Sequence, residues 1–247
     1  MNRYQIFIIL LIVIVMINFT LSYLNNNIDF TQEFLVNRDN ILINNVDQVY
    51  VVNMDKDKNR LRLFTIYMNK LNIKFKRITG INGKKVYSKY KTPLGPGQLG
   101  CLLSHINIMK DAIKNNYENI LVLEDDVIFH KNFHNILKKT YNNIIQNEKR
   151  FDLIYLGGDD WNKIKNIEYK EHYYKSKNTN GCYAILINKN VFTEILKQYK
   201  KLNLPSDLVL VKTIQPKYKC FNLRNQIITV NNNASSNTIS FPFITYI

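Results

Sequence analysis

The sequence predicts an α/β fold, one mostly parallel sheet with helices on both faces, preceded by one transmembrane helix. Three observations carry that expectation. Short runs rich in branched residues alternate with segments whose apolar residues recur at helical spacing, the pattern of strand-helix-strand units. One of these runs, Ile120-Leu121-Val122-Leu123, ends in Glu124-Asp125-Asp126, so acids stand where open α/β sheets bind their ligands. A long apolar stretch without charge lies near the amino terminus.

That stretch runs from Ile6 to Ile17 and continues through Phe19, Leu21, Tyr23 and Leu24 with only Asn18, Thr20 and Ser22 between them. It just reaches the roughly 20 residues needed to cross a bilayer core, and no small-residue cleavage triplet follows. Arg3 precedes it and acids follow, so the expected topology is a single-pass signal anchor with the remainder lumenal or exterior. A cleaved signal is the other reading. Residues 1–24 are thus assigned to the cytosolic end and membrane helix, the Asn- and Asp-rich residues 25–45 to a stem, and residues 46–247 to the folded domain.

Within the domain, Gln48 to Asn53 reads as a strand, and Leu61, Phe64, Met68 and Leu71 mark a helix. Lys74 to Thr79 is the next strand, closed by Gly80-Ile81-Asn82-Gly83. Pro96 suits a first helical turn, and Leu99, Leu102, Leu103, Ile106, Met109 and Ile113 form the apolar face behind it. The acid-tipped strand follows, then a helix marked by Phe133, Ile136, Leu137, Ile144 and Ile145 and a strand from Phe151 to Leu156 that ends at Gly157-Gly158. Tyr183 to Ile187 is a further strand, Asn188 or Asn190 caps a helix through Tyr199, and Ser206 caps a last helix over Asp207 to Ile214.

The formal net charge of +15 is spread along the chain with no basic block, which argues against a nucleic-acid partner. Cys101, Cys182 and Cys220 form no C-x-x-C pair, which argues against a structural zinc site. One disulfide, Cys182 with Cys220, and three buried free thiols remain open as readings. Asn233-Ala234-Ser235 is a glycosylation sequon of a kind common by chance in an Asn-rich chain. Gly95-Pro96-Gly97-Gln98-Leu99-Gly100 matches the dinucleotide fingerprint in letters, yet Ser88-Lys89-Tyr90-Lys91-Thr92-Pro93 before it is no strand, so that function is set aside.

Side chains alternate along a strand, so Glu124 and Asp126 are expected on one side and Asp125 on the other. Two carboxylates on one side suit a single divalent cation. Three acids near a core require a metal, a basic partner or water, whereas a solvated acidic turn requires none.

Several blocks together resemble glycosyltransferase family 25, which includes bacterial lipooligosaccharide and procollagen galactosyltransferases. They are Val51-Val52-Asn53-Met54-Asp55 with Arg60, Gly80-Ile81-Asn82-Gly83, Leu99-Gly100-Cys101-Leu102-Leu103-Ser104-His105 and Leu121-Val122-Leu123-Glu124-Asp125-Asp126-Val127. Asp152 to Gly158 and Gly181-Cys182-Tyr183-Ala184 fit later blocks more loosely. The resemblance implies a GT-A-type nucleotide-sugar transferase fold with a Rossmann-like sheet. It also implies an inverting, metal-dependent transfer of a hexose, galactose or glucose, from a UDP-sugar to a glycan or collagen-like hydroxyl. By that analogy Asp126 ligates Mn²⁺ or Mg²⁺, and Glu124 or Asp125 assists through water or the donor ribose.

Asn53 and Arg60 would contact the donor, although Arg60 also reads as a solvated helix charge. Ser104 and His105 are either donor contacts or a buried pair, and His105 completes the metal shell if it faces the strand end. The acceptor base falls to Asp207, with Asp159 and Asp160 as the other candidates; an acid in a first helical turn also serves merely to offset the helix dipole. A catalytically inactive member acting as a binding or assembly module is the alternative.

Overall fold

The computed structural model describes residues 45–160 and 170–230, together with Met16. Apart from Met16, the apolar segment at residues 6–24 lies outside the described residues, as do nearly all of the stem and the sequon. Among the described residues no helix is long and apolar enough to cross a membrane.

The centre is a seven-stranded sheet in the order β2-β1-β3-β9-β5-β10-β7, where β1 is Gln48–Asn53, β2 Lys76–Thr79, β3 Asn119–Glu124, β5 Leu153–Tyr155, β7 Tyr173–Lys175, β9 Ala184–Asn188 and β10 Cys220–Leu223. β2, β1 and β3 pair in parallel, and β5 pairs in parallel with β10. β9 is inserted between β3 and β5 and runs against both, and β7 runs against β10. Five strands therefore share one direction and two oppose it. Hydrophobic runs alone cannot report this, because a strand buried on both faces reads as continuously apolar in either direction. β9 lies flat in the core with all five residues buried.

Alternation along β1 and β3 assigns each residue to one of two cores. Val49, Val51, Leu121 and Leu123 pack with Phe64 and Met68 of α1 (Lys58–Lys70) and with Phe133, Leu137 and Ile144 of α4 (Phe133–Glu148). Tyr50, Ile120 and Val122 pack on the other face with α3 (Pro96–Lys114) and α5 (Phe192–Tyr199). The sheet is covered on both faces, as the strand-helix alternation predicts. α3 also meets α5 and the short α2 (Gly83–Val86), so it is buried on more than one side.

Of the predicted apolar face of α3, Leu99, Leu102, Leu103, Ile106 and Met109 are buried, and its last member, Ile113, is not. Ile108, Met109 and Ala112 are fully buried, whereas Ile113 is 39% exposed. The stripe leaves the helix through Ala112, and Ile113 falls on its rim.

Three further differences have clear local causes. Val127-Ile128-Phe129 does not prolong β3; it forms β4, which pairs with β11 (Ile228–Val230), because the chain turns at Asp125-Asp126. β10 and β11 escape the sequence reading because Asn222 interrupts the apolar run of the first and two of the three residues of the second are only half-buried. Ser206 is not the cap of the last helix: Pro205 holds that place, Ser206 is the first residue of α6 (Ser206–Val209), and a π-helical turn, Leu210–Ile214, completes the element. Elsewhere local rules hold. Asn188 accepts from the Asn190 N–H at 3.1 Å ahead of α5, and the Gly95 N–H donates to Gln98 Oε1 at 3.0 Å at the start of α3.

A polar tie joins β1, β2 and α3. The fully buried Tyr50 donates its hydroxyl to Asp111 at 2.6 Å, and Lys76 meets the same carboxylate at 2.8 Å. Burial alone would raise the Asp111 pKa, but the hydrogen bonds from Lys76 and Tyr50 hold it below the usual carboxylate range. A depressed carboxylate stabilises the fold above its unfolded pKa, and that contribution is lost as pH falls through the folded value. Asp111→Ala is expected to lower stability by about 1 to 2 kcal/mol, because it strands the Tyr50 hydroxyl in the core. Urea unfolding at neutral pH and again in acid should show the gap between parent and variant shrinking in acid.

Candidate active site

The acids at the end of β3 divide between two environments. Glu124 is the last residue of the strand and continues the side of Ile120 and Val122, which faces α3. Asp125 continues the side of Leu121 and Leu123, toward α1. Strict alternation would return Asp126 to the side of Glu124. The strand has ended by then, and the turn presents Asp126 beside Asp125, where one guanidinium nitrogen of Arg60 lies 2.6 Å from the first and 2.5 Å from the second. The basic partner required for buried acids is therefore Arg60, and a merely solvated charge on α1 is ruled out for it.

Asn53 holds this arrangement in place. Its amide donates to Asp125 at 2.5 Å and to the Asp57 carbonyl at 3.1 Å, and its side-chain oxygen accepts from Arg77 Nε at 2.9 Å. Arg77 also pairs with Asp55 at 2.5 Å. Nothing in the sequence singled out Arg77; its place on β2, directly across from Val51 of β1, brings it to the same sheet edge. Asn53 is 2% exposed and acts on Asp125 directly. Asp126 Oδ1 is buried without a partner among the described residues.

Ser104 and His105 are both buried. The Ser104 hydroxyl donates to the Gly100 carbonyl at 2.8 Å and accepts the Ile81 N–H at 2.9 Å, so it clasps the Gly80–Gly83 loop to α3. His105 meets the Tyr199 ring edge-on, its Nε2 has no partner among the described residues, and burial lowers its pKa to about 4. Cys101, one helical turn earlier, also faces the end of β3.

A cleft of about 480 Å³ opens at this edge, lined on one side by Gly97, Gln98, Cys101 and Glu124 and on the other by residues 180–183 and 205–208. Burial, followed by the charges of Asp126 and Asp125, pushes the Glu124 pKa up to about 7. Asp207, in the first turn of α6, faces the same cleft and accepts the Leu208 N–H at 2.8 Å. Ser206 lies 3.5 Å from Cys101 Sγ. On the far wall, Gly181 takes a positive φ of 98°, and Asn180 Oδ1 is buried without a partner among the described residues. Gln215 fixes that wall by donating to the Thr179 carbonyl at 2.6 Å and to Tyr155 Oη at 2.9 Å.

Asp159 and Asp160 form β6, which pairs with β8 (Thr179–Asn180). Asp159 is exposed, and it is not part of the cleft lining. The three cysteines are free thiols; Cys182 lines the cleft while Cys220 lies in β10, and no disulfide joins them.

These features define an α/β protein with carboxylates gathered around a cleft at the carboxyl edge of its parallel strands. The family described as glycosyltransferase family 25 (LPS biosynthesis protein) matches residues 46–210, and the chain belongs to it. Among curated relatives it is 29% identical over 130 residues to procollagen galactosyltransferase 2 of Homo sapiens, covering 45% of this chain and 20% of that one. It is 31% identical over 128 residues to procollagen galactosyltransferase 1-B of Xenopus laevis, covering 45% of this chain and 21% of the relative. It is also 26% identical over 136 residues to the inactive glycosyltransferase 25 family member 3 of Homo sapiens, covering 48% and 23%. The chain aligns with only about a fifth of the length of each relative.

Proposed function

We propose that the chain is a metal-dependent hexosyltransferase of GT-A type, moving galactose or glucose from a UDP-sugar to a hydroxyl of a glycan or collagen-like acceptor with inversion. The apolar residues 6–24 would anchor it in a membrane with the catalytic domain lumenal or exterior. The observation that carries the transferase reading is the convergence of Glu124 and Asp207 on one cleft beside Asp126, whose Oδ1 is buried and unpartnered.

The donor set fits a hard divalent cation, because the acids offer only oxygen and outnumber the one guanidinium between them. Asp126, with Glu124 on the cleft side, would hold Mn²⁺ or Mg²⁺. When bound, the cation supplies Lewis-acid stabilisation of the departing diphosphate. Arg60 adds positive charge at the same edge, and Asn53 and Arg77 keep Asp125 oriented toward it. Asn180 Oδ1 accepts a hydrogen bond from a sugar hydroxyl. Asp207 takes the proton of the acceptor hydroxyl as that oxygen attacks the anomeric carbon.

One observation favours the second reading, a binding or assembly module without turnover: Arg60 already bridges Asp125 and Asp126 where a cation would otherwise do so. UDP release from UDP-galactose and UDP-glucose, with Mn²⁺ or with chelator, separates the two. Metal-dependent release is expected, and Asp126→Ala is expected to lower it by at least about 100-fold. Donor-induced thermal stabilisation without release would establish the binding module. Neither release nor stabilisation would overturn both.

A further inference from the structure

We propose a second metal site, for a thiophilic divalent cation of the zinc type, formed by Cys101, His105 and Glu124. One ligand atom from each of the three lies within 4.8 Å of the others. Cys101 and His105 are four residues apart on α3 and so project from one face, one turn above the other. Glu124 reaches them because the alternation of β3 directs it toward α3. In a tetrahedral zinc centre the ligand atoms stand about 3.5 Å apart, as bond lengths of about 2.0 to 2.3 Å require. Small side-chain rotations close that difference.

The state of the histidine points the same way. A fully buried imidazole usually spends its ring nitrogens on hydrogen bonds, and an unmet one costs about 1 to 3 kcal/mol. His105 is 3% exposed, and its Nε2 has no partner among the described residues. A metal bond would satisfy the group that nothing else among the described residues satisfies.

The chemistry differs from that at Asp126. Sulfur and imidazole select zinc or cobalt over magnesium, whereas Asp126 and its neighbours offer oxygen alone. Three protein ligands leave one tetrahedral position, which opens toward the cleft because Cys101 and Glu124 line it. Water or a phosphate oxygen would complete the shell. Glu124 belongs to both sets, so a soft cation here competes with the hard one for that carboxylate. The proposal does not rest on the transferase reading, since a metal–sulfur bond is its signature whether or not sugar is transferred.

The test is Co²⁺ titration of the reduced 247-residue chain with Mg²⁺ in excess to fill oxygen-only sites, read as thiolate-to-cobalt charge-transfer absorption in the near ultraviolet. One equivalent should produce the band. Cys101→Ser should abolish it, His105→Gln should weaken cobalt affinity by at least about tenfold, and Cys182→Ser and Cys220→Ser should keep it. Should a variant fail to fold, Zn²⁺ applied to the parent should slow alkylation of Cys101 as mapped by mass spectrometry. No band in the folded parent, a band that survives Cys101→Ser, or alkylation of Cys101 indifferent to Zn²⁺ would overturn the proposal.

Discussion

Gly83→Ala is expected to destabilise the domain by more than about 4 kcal/mol, a large part of the whole stability of an ordinary domain. Gly83 opens α2 where it crosses the first turns of α3, and the two backbones touch. A methyl group on Gly83 would sit 2.6 Å from the Pro96 carbonyl carbon and 3.0 Å from the Gly100 nitrogen. On Gly100 it would sit 2.8 Å from the Gly83 nitrogen. All of these are main-chain atoms, so no side-chain rotation relieves the overlap, and the loop must lift off the helix. Lifting also breaks the Ile81 N–H to Ser104 hydrogen bond and exposes the apolar contacts beneath it. Gly100→Ala should act in the same direction, whereas Ser104→Ala should cost only about 1 kcal/mol. Thermal or urea unfolding checks the series. A melting temperature for Gly83→Ala within about 2 °C of the parent would mean that the clasp opens without cost.

The second large effect concerns turnover. Asp207→Asn is expected to lower kcat for transfer by about 10² to 10⁴, the usual contribution of a general base. The change is nearly isosteric, and an amide oxygen still accepts the Leu208 N–H, so the first turn of α6 keeps its geometry. KM for the donor should stay within about threefold, because the lost interaction belongs to the transition state. Stopped-time assays with a competent acceptor, beside donor-induced thermal shifts, separate lost chemistry from lost binding. If the variant keeps more than about a tenth of the parental kcat, Asp207 serves the helix dipole and the proton-accepting role passes to Glu124. Glu124 faces the same cleft with its pKa pushed up to about 7.

Much of the fold was legible because it rests on short-range rules. β1 begins and ends at the residues read from its branched run, and α3 starts at Pro96 because proline suits a first turn. The Asn188 cap before α5 was legible for the same reason. The misses share a different origin. β9 runs against its neighbours, yet its composition is that of any buried strand. Ile113 lies at the end of α3, where the distance to the sheet decides burial and the helical period does not. Ser206 carries the residue type of a cap but sits one place inside the helix, facing Cys101.

For the site, the residues alone indicated that acids would stand at the end of a buried strand, while Asn53 and Arg60 were expected as donor contacts and not as partners of those acids. Apolar runs, turn residues and ordered motifs are all written locally. How those acids are partnered depends on packing between distant segments. The turn after Glu124 breaks the alternation, so Arg60 joins Asp125 to Asp126 and leaves Glu124 to the cleft with Asp207, some eighty residues away in the chain. Packing likewise brought Cys101 and His105 to Glu124, a grouping that the C-x-x-C rule does not detect. The physical reason is that a carboxylate's charge state and ligand depend on what lies within a few ångströms, and for these side chains that is set by the crossing of α1, α3 and α6 over one sheet edge.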